Sequence, residues 1–141
     1  MGLYLCVFAD DESDVDLEGV EVGGYDDFDS FRELVAVHVE QGVWGSQCPT
    51  LMNHVDSSGT WTVEECVRLR SELVQIADVL ARVPAPGYTR GTWQQSTAKA
   101  LGIEPVTLRD WVFDVDGEPL VHRLIELVDC ALAAHRPIHF M

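Results

Sequence analysis

Residues 62–83 read TVEECVRLRSELVQIADVLARV, and this stretch decides the fold class. Thr62 followed by Glu65 makes a capping box, in which each side chain accepts a backbone N–H of the other residue. Val63, Cys66, Leu69, Leu73, Ile76, Val79 and Leu80 then recur at three- and four-residue spacing, so they share one helical face. Pro84-Ala85-Pro86-Gly87 stops the helix near Val83. A helix with one apolar face must bury it, and short apolar segments on either side are suited to that.

Upstream, Gly2–Ala9 is short and rich in aliphatic and aromatic residues, which reads as a buried strand. Val20 and Val22 flank Glu21 as a short strand or bulge. Asp26–Gln41 reads as a helix, with Phe28, Phe31, Leu34, Val35, His38 and Val39 on one face and Gly42 as the stop. Cys48–Val55 reads as a further strand with Pro49 at an edge-tolerant position, and Asp56-Ser57-Ser58-Gly59 is turn chemistry. Downstream come a short helix over Thr92–Leu101, a strand over Leu108–Val115 and a turn at Asp116-Gly117. A last helix follows Pro119 and runs along Leu120, Leu124, Leu127, Val128, Ala131 and Leu132, and Ile138–Met141 closes as a strand. The expectation is a single domain over residues 1–141. It holds a roughly four-stranded sheet packed with three to four helices, either α+β or an α/β-like alternation, with strand order left open.

Charge is the outlying property. The 141 residues carry 24 Asp+Glu against nine Lys+Arg, for a net charge of −15. Hydrophobic residues at 47% exclude a wholly disordered chain. A direct nucleic-acid binder needs a basic footprint, and an anionic membrane surface repels such a chain, so neither partner is expected. Twelve of the 24 acids lie in residues 1–40, where Arg32 is the one base. Asp10, Asp11, Glu12, Asp14, Asp16 and Glu18 concentrate the charge in a few residues. This reads as a solvated acidic loop over residues 10–19. Asp114, Asp116 and Glu118 form a second group, which joins the first in one negative face if their strands are neighbours.

Motifs for catalysis are missing: there is no GxSxG, Walker A, HExxH or GxGxxG. His54 with Asp56 stands near an expected strand end, and His135 and His139 are separated by Pro137. Asp14-x-Asp16-x-Glu18-Gly19 matches the start of an EF-hand loop, but the position of the bidentate Glu is Tyr25. No cofactor or metal is therefore expected. Cys6, Cys48, Cys66 and Cys130 are scattered in apolar stretches without a CxxC pair, which suits reduced thiols in the cytoplasm. The Gly2–Ala9 run lacks the flanks of a signal peptide and is too short to span a bilayer. Trp44 and Trp61 lie in glycine-bearing loops, either capping the core edge or serving as partner anchors.

An acidic chain without catalytic motifs points to binding of a basic protein, because complementary charge raises association rates by about 10–10³-fold. The chain also resembles the immunity protein 70 family of bacterial polymorphic toxin systems. The resemblance is carried by Met1-Gly2-Leu3-Tyr4-Leu5 with Val7-Phe8, by Val22-Gly23-Gly24-Tyr25, and by Asp27-Phe28 with Phe31-Arg32. It continues in Pro49-Thr50-Leu51, His54, Asp56, Gly59 and Trp61, then Asp114-Val115-Asp116-Gly117-Glu118-Pro119-Leu120. Cys48, where a larger apolar residue is expected, departs from it. The resemblance implies a small cytoplasmic α+β protein that neutralises a toxin encoded beside it by direct binding. It brings no catalytic residue and no toxin-contact position. Three readings follow. The first is an immunity protein against a cognate toxin domain, expected to be basic, such as a nuclease. It would use Asp10, Asp11, Glu12, Asp14, Asp16, Glu18, Asp114, Asp116, Glu118, Trp44 and Trp61. The second is an acidic regulatory or DNA-mimicking binder of another basic partner. The third is a small metal-dependent enzyme using the two carboxylate clusters.

Overall fold

Leu3, Leu5 and Val7 point to one side of strand β1 (Gly2–Phe8) and Tyr4, Cys6 and Phe8 to the other, so β1 separates two environments. The computed structural model describes residues 2–12 and 14–141. A second strand, β2 (Asp16–Gly24), returns antiparallel along β1, pairing Cys6 with Gly19 and Gly2 with Gly24. The register shifts between Leu3 and Tyr4 and between Val7 and Phe8. Helix α1 (Tyr25–His38) leaves β2 directly, its start closed by the Asp27 side chain accepting the Gly24 N–H at 2.7 Å. After the short helix α2 (Pro49–Met52) comes the two-residue strand β3 (Thr60–Trp61), then the long helix α3 (Val63–Leu80). Helices α4 (Trp93–Leu101), α5 (Leu108–Trp111) and α6 (Leu120–Ala134) lead to the last strand, β4 (Ile138–Phe140).

The sheet order is β2-β1-β4-β3, with every neighbouring pair antiparallel. The C-terminal strand is thus inserted between β1 and β3, pairing Cys6 with His139 and His139 with Thr60. Helices α1, α3 and α6 cover the face that carries Leu3, Leu5, Val7, Val20, Val22 and Ile138, and α3 packs along α6. Helices gathered on one face of an antiparallel sheet make this an α+β domain. On the opposite face the Tyr4 ring lies over Gly19, where an added Cβ would fall 1.8 Å from the Tyr4 hydroxyl. Phe8 packs on His139 at 4.9 Å between ring centroids, and the buried Cys6 lies between these pairs.

The capping box at Thr62 and Glu65 forms as expected. Two expected strands do not. Residues 48–55 instead contain α2, because Pro49 occupies its first turn and the Glu72 carboxylate on α3 accepts the N–H groups of Thr50 and Leu51. Residues 108–115 begin as the single turn α5, since Leu108 and Trp111 bury a helical rather than an alternating edge. The chain then closes a turn through a Phe113–Pro119 bridge. The acidic segment is also shorter as a loop than expected. Asp16, Leu17 and Glu18 belong to β2, where Tyr4 and Arg123 receive the two carboxylates.

Candidate functional site

The acidic segment splits into a free part and a pinned part. Asp10, Asp11, Glu12 and Asp14 are exposed, and the Asp10 carboxylate accepts the Glu12 N–H at 2.9 Å. Arg136 holds Asp11 at 2.7 Å while its Nε donates to the Phe8 carbonyl. Asp16 accepts the Tyr4 hydroxyl; burial, with that hydrogen bond adding, raises the phenol pKa. Glu18 meets Arg123 Nη2 at 3.1 Å. No cation contacts Asp10, Glu12 or Asp14 among the described residues.

The second carboxylate group does come beside the first. The Val115 N–H donates to the Glu21 carbonyl at 2.9 Å, which lays the 114–118 turn along the outer edge of β2. Asp116 and Glu118 are exposed there. Asp114 is only 1% exposed, so it has no surface to offer a partner, contrary to expectation. Its Oδ1 accepts the N–H groups of Asp116 and Glu118, both at 3.0 Å, and so builds the turn. Burial pushes its carboxyl above the usual carboxylate range, against the pull of those two N–H groups and Arg123.

The two loop tryptophans part ways. Trp61 is 1% exposed, donates to the Thr50 carbonyl at 3.1 Å and meets Phe140 edge-on, so it is a core residue and not a surface anchor. Burial follows from its place in β3, where Thr50 of α2 and Phe140 of β4 lie against the ring. Trp44 keeps 45% of its surface exposed; its indole N–H donates to the Met52 carbonyl at 2.8 Å and Arg32 sits near its ring.

Three further buried charges, Arg32, Glu40 and Glu72, shape this region. Arg32 pairs with Asp29 and donates to the carbonyl of His54 at 2.6 Å. Glu40 accepts the N–H groups of Gly45, Gln47 and Cys48, each at 2.9 Å. Glu72 caps α2 as described. These groups hold residues 45–54 in place. Both ring nitrogens of His54 lie within 3.0 Å of backbone carbonyls, and the ring stacks on Phe140, so the residue ties the loop together.

The other missed residues line a cleft between α1, α4 and the 111–113 segment, with a volume of about 240 Å³. Tyr88 stacks on Trp111 with ring centroids 5.3 Å apart, and Trp93 stands edge-on to Phe113 at 5.7 Å. Asp27 lies at its mouth, accepting Trp93 Nε1 at 3.0 Å and Gln94 Nε2 at 2.7 Å. Tyr88 lies in an irregular stretch with no periodic signal, and Trp93 and Trp111 sit in short segments whose spacing does not mark a shared cleft.

Among the described residues, no three His, Cys, Asp or Glu side chains group as a metal site requires. No described helix is long and apolar enough to cross a membrane. What the fold and these surfaces define is a small acidic α+β domain with helices on one face of an antiparallel sheet. The chain belongs to the Immunity protein 70 family, whose profile matches residues 3–140. No curated protein and no solved structure matches it.

Proposed function

We propose that this chain is a cytoplasmic immunity protein that neutralises a cognate bacterial toxin domain by binding it directly, without catalysis. The family match over residues 3–140 carries the reading. The distribution of charge supports a basic partner surface. Asp10, Glu12 and Asp14 stand exposed with no cation beside them among the described residues, Asp11 is exposed in the same segment, and Asp116 and Glu118 are exposed on the turn along β2. Such exposed charge acts first on encounter, by steering arginine- and lysine-bearing surfaces, and then pairs with them. Trp44 stays a candidate anchor through its exposed ring face. Asp114 and Trp61 support the interface from beneath by shaping the turn and the core.

Co-expression with the toxin domain encoded beside the gene tests the reading. Rescue of growth, together with a stoichiometric complex of the two purified chains, is expected. Intact toxicity with no complex overturns it.

A further inference from the structure

A concave surface lies at the opposite end of β2 from the acidic loop. Asp16 and Gly24 bound the strand, so about 25 Å of extended chain separates the two places. The aromatic cleft opens beside a broader groove floored by Gly2, Gly23 and Gly24, and the two share Asp27, Thr92, Trp93 and Gln94. Glu21, Asp26 and Asp27 line the pair, and no Lys or Arg does.

The cleft is preformed. Gly23 has φ +123°, and a Cβ there would stand 2.6 Å from Asp27 Oδ2 and 3.0 Å from Trp93 Cζ2. Only glycine allows both groups to sit so close to β2. Asp27 spends its hydrogen bonds on three neutral donors, the Gly24 N–H, the Trp93 indole and the Gln94 amide. A carboxylate offers about four acceptor positions, so its charge is unbalanced and one position is open. Trp111, which also lines the cleft, keeps a buried indole N–H with no acceptor among the described residues. At about 240 Å³ the cleft falls below the roughly 300 Å³ at which small-molecule pockets begin, a size for one side chain.

From these observations we infer that the cleft receives an arginine side chain on an extended segment of the toxin. This rests on the neutralisation reading and adds to it a defined contact. A guanidinium lies flat on aromatic rings and presents N–H groups to a carboxylate, so it satisfies the walls and Asp27 together. Lysine, a more compact and more strongly hydrated cation, uses the rings less well.

The test is a titration of the isotope-labelled full chain with N-acetyl-arginine amide, followed by NMR, with N-acetyl-norleucine amide as the apolar control. Saturable shifts of the Trp93 and Trp111 indole signals and the Gln94 side-chain amide are expected with the arginine probe alone, while the Trp44 indole stays still. Glu21→Gln with Asp26→Asn, both at exposed positions outside the hydrogen-bonded cap, is expected to weaken the response several-fold. Unmoved Trp93 and Trp111 signals, or equal shifts with norleucine amide, overturn the inference. In the complex, the same double variant is expected to bind the toxin domain about tenfold more weakly. Unchanged affinity overturns the cleft as a toxin contact and leaves neutralisation standing, whereas absence of any wild-type complex overturns neutralisation itself.

Discussion

Arg123 on α6 reaches the Glu18 carboxylate on β2 at 3.1 Å. The same guanidinium donates to the Gly19 carbonyl at 2.8 Å and lies 3.5 Å from Asp114. One cation therefore stands between the two acidic groups and also occupies the outer edge of β2. With Val115 bonded to Glu21 on that edge, the strand is shielded from pairing with another chain.

Arg123→Met is expected to lower stability by about 1–3 kcal/mol, because the buried Asp114 loses its one nearby cation and Gly19 its donor. Adding Asp114→Asn should recover part of the loss, since Asn keeps an Oδ1 acceptor for the turn. Urea unfolding of the single and double variants measures both effects. Full additivity would contradict the coupling.

The buried carboxylates Glu40 and Glu72 are expected to matter more to stability than any acid on the surface. Glu72→Ala leaves the Thr50 and Leu51 N–H groups without acceptors, and Glu40→Ala does the same for three others. Each variant should cost about 2–4 kcal/mol, with faster hydrogen exchange across residues 45–52. Glu72→Gln, which keeps one acceptor oxygen, should lose less.

Thiol chemistry offers a pH test. Burial, with Asp16 adding, pushes Cys6 from its ordinary 9.0 to about 11. Burial near Glu72 and Glu40 takes Cys48 to about 12, and burial takes Cys66 to about 11. A rise from 9.0 to about 11 cuts the thiolate about a hundredfold at pH 8, so iodoacetamide should modify the half-buried Cys130 first and the other three only on unfolding. The folded state holds these protons more tightly than the unfolded state does. Their contribution to stability is complete below pH 9 and lost as pH rises through 11–12. Denaturation midpoints measured from pH 8 to 11 should fall across that window.

The amphipathic helices were legible because their periodicity is set by a core that every third or fourth residue must reach. Val63–Leu80 and Leu120–Ala134 lie where the apolar spacing puts them. The sheet has four strands as expected, but the runs at 48–55 and 108–115 are not among them. Residues 48–55 and 108–115 are apolar runs too short to distinguish strand from helical turn by pattern. What decided them was a carboxylate 21 residues away in sequence in the first case, and in the second a turn built by Asp114. The strand that completes the sheet, Thr60–Trp61, is only two residues long and leaves no alternation to read. For the site, exposure of Asp10, Asp11, Glu12 and Asp14 was legible from charge density, whereas burial of Asp114 and Trp61 depends on long-range packing.

Steering of a basic toxin by the exposed charge of Asp10, Asp11, Glu12 and Asp14 is the step that kinetics reads most directly. Association of the toxin domain with the wild type and with Asp10→Asn/Asp11→Asn/Glu12→Gln/Asp14→Asn, followed by stopped flow over a series of salt concentrations, tests it most directly. The wild-type rate should fall steeply with salt. The variant should associate about tenfold or more slowly at low salt, with a flatter salt dependence and nearly unchanged fold stability. Identical rates and identical salt slopes for the two proteins would contradict the account.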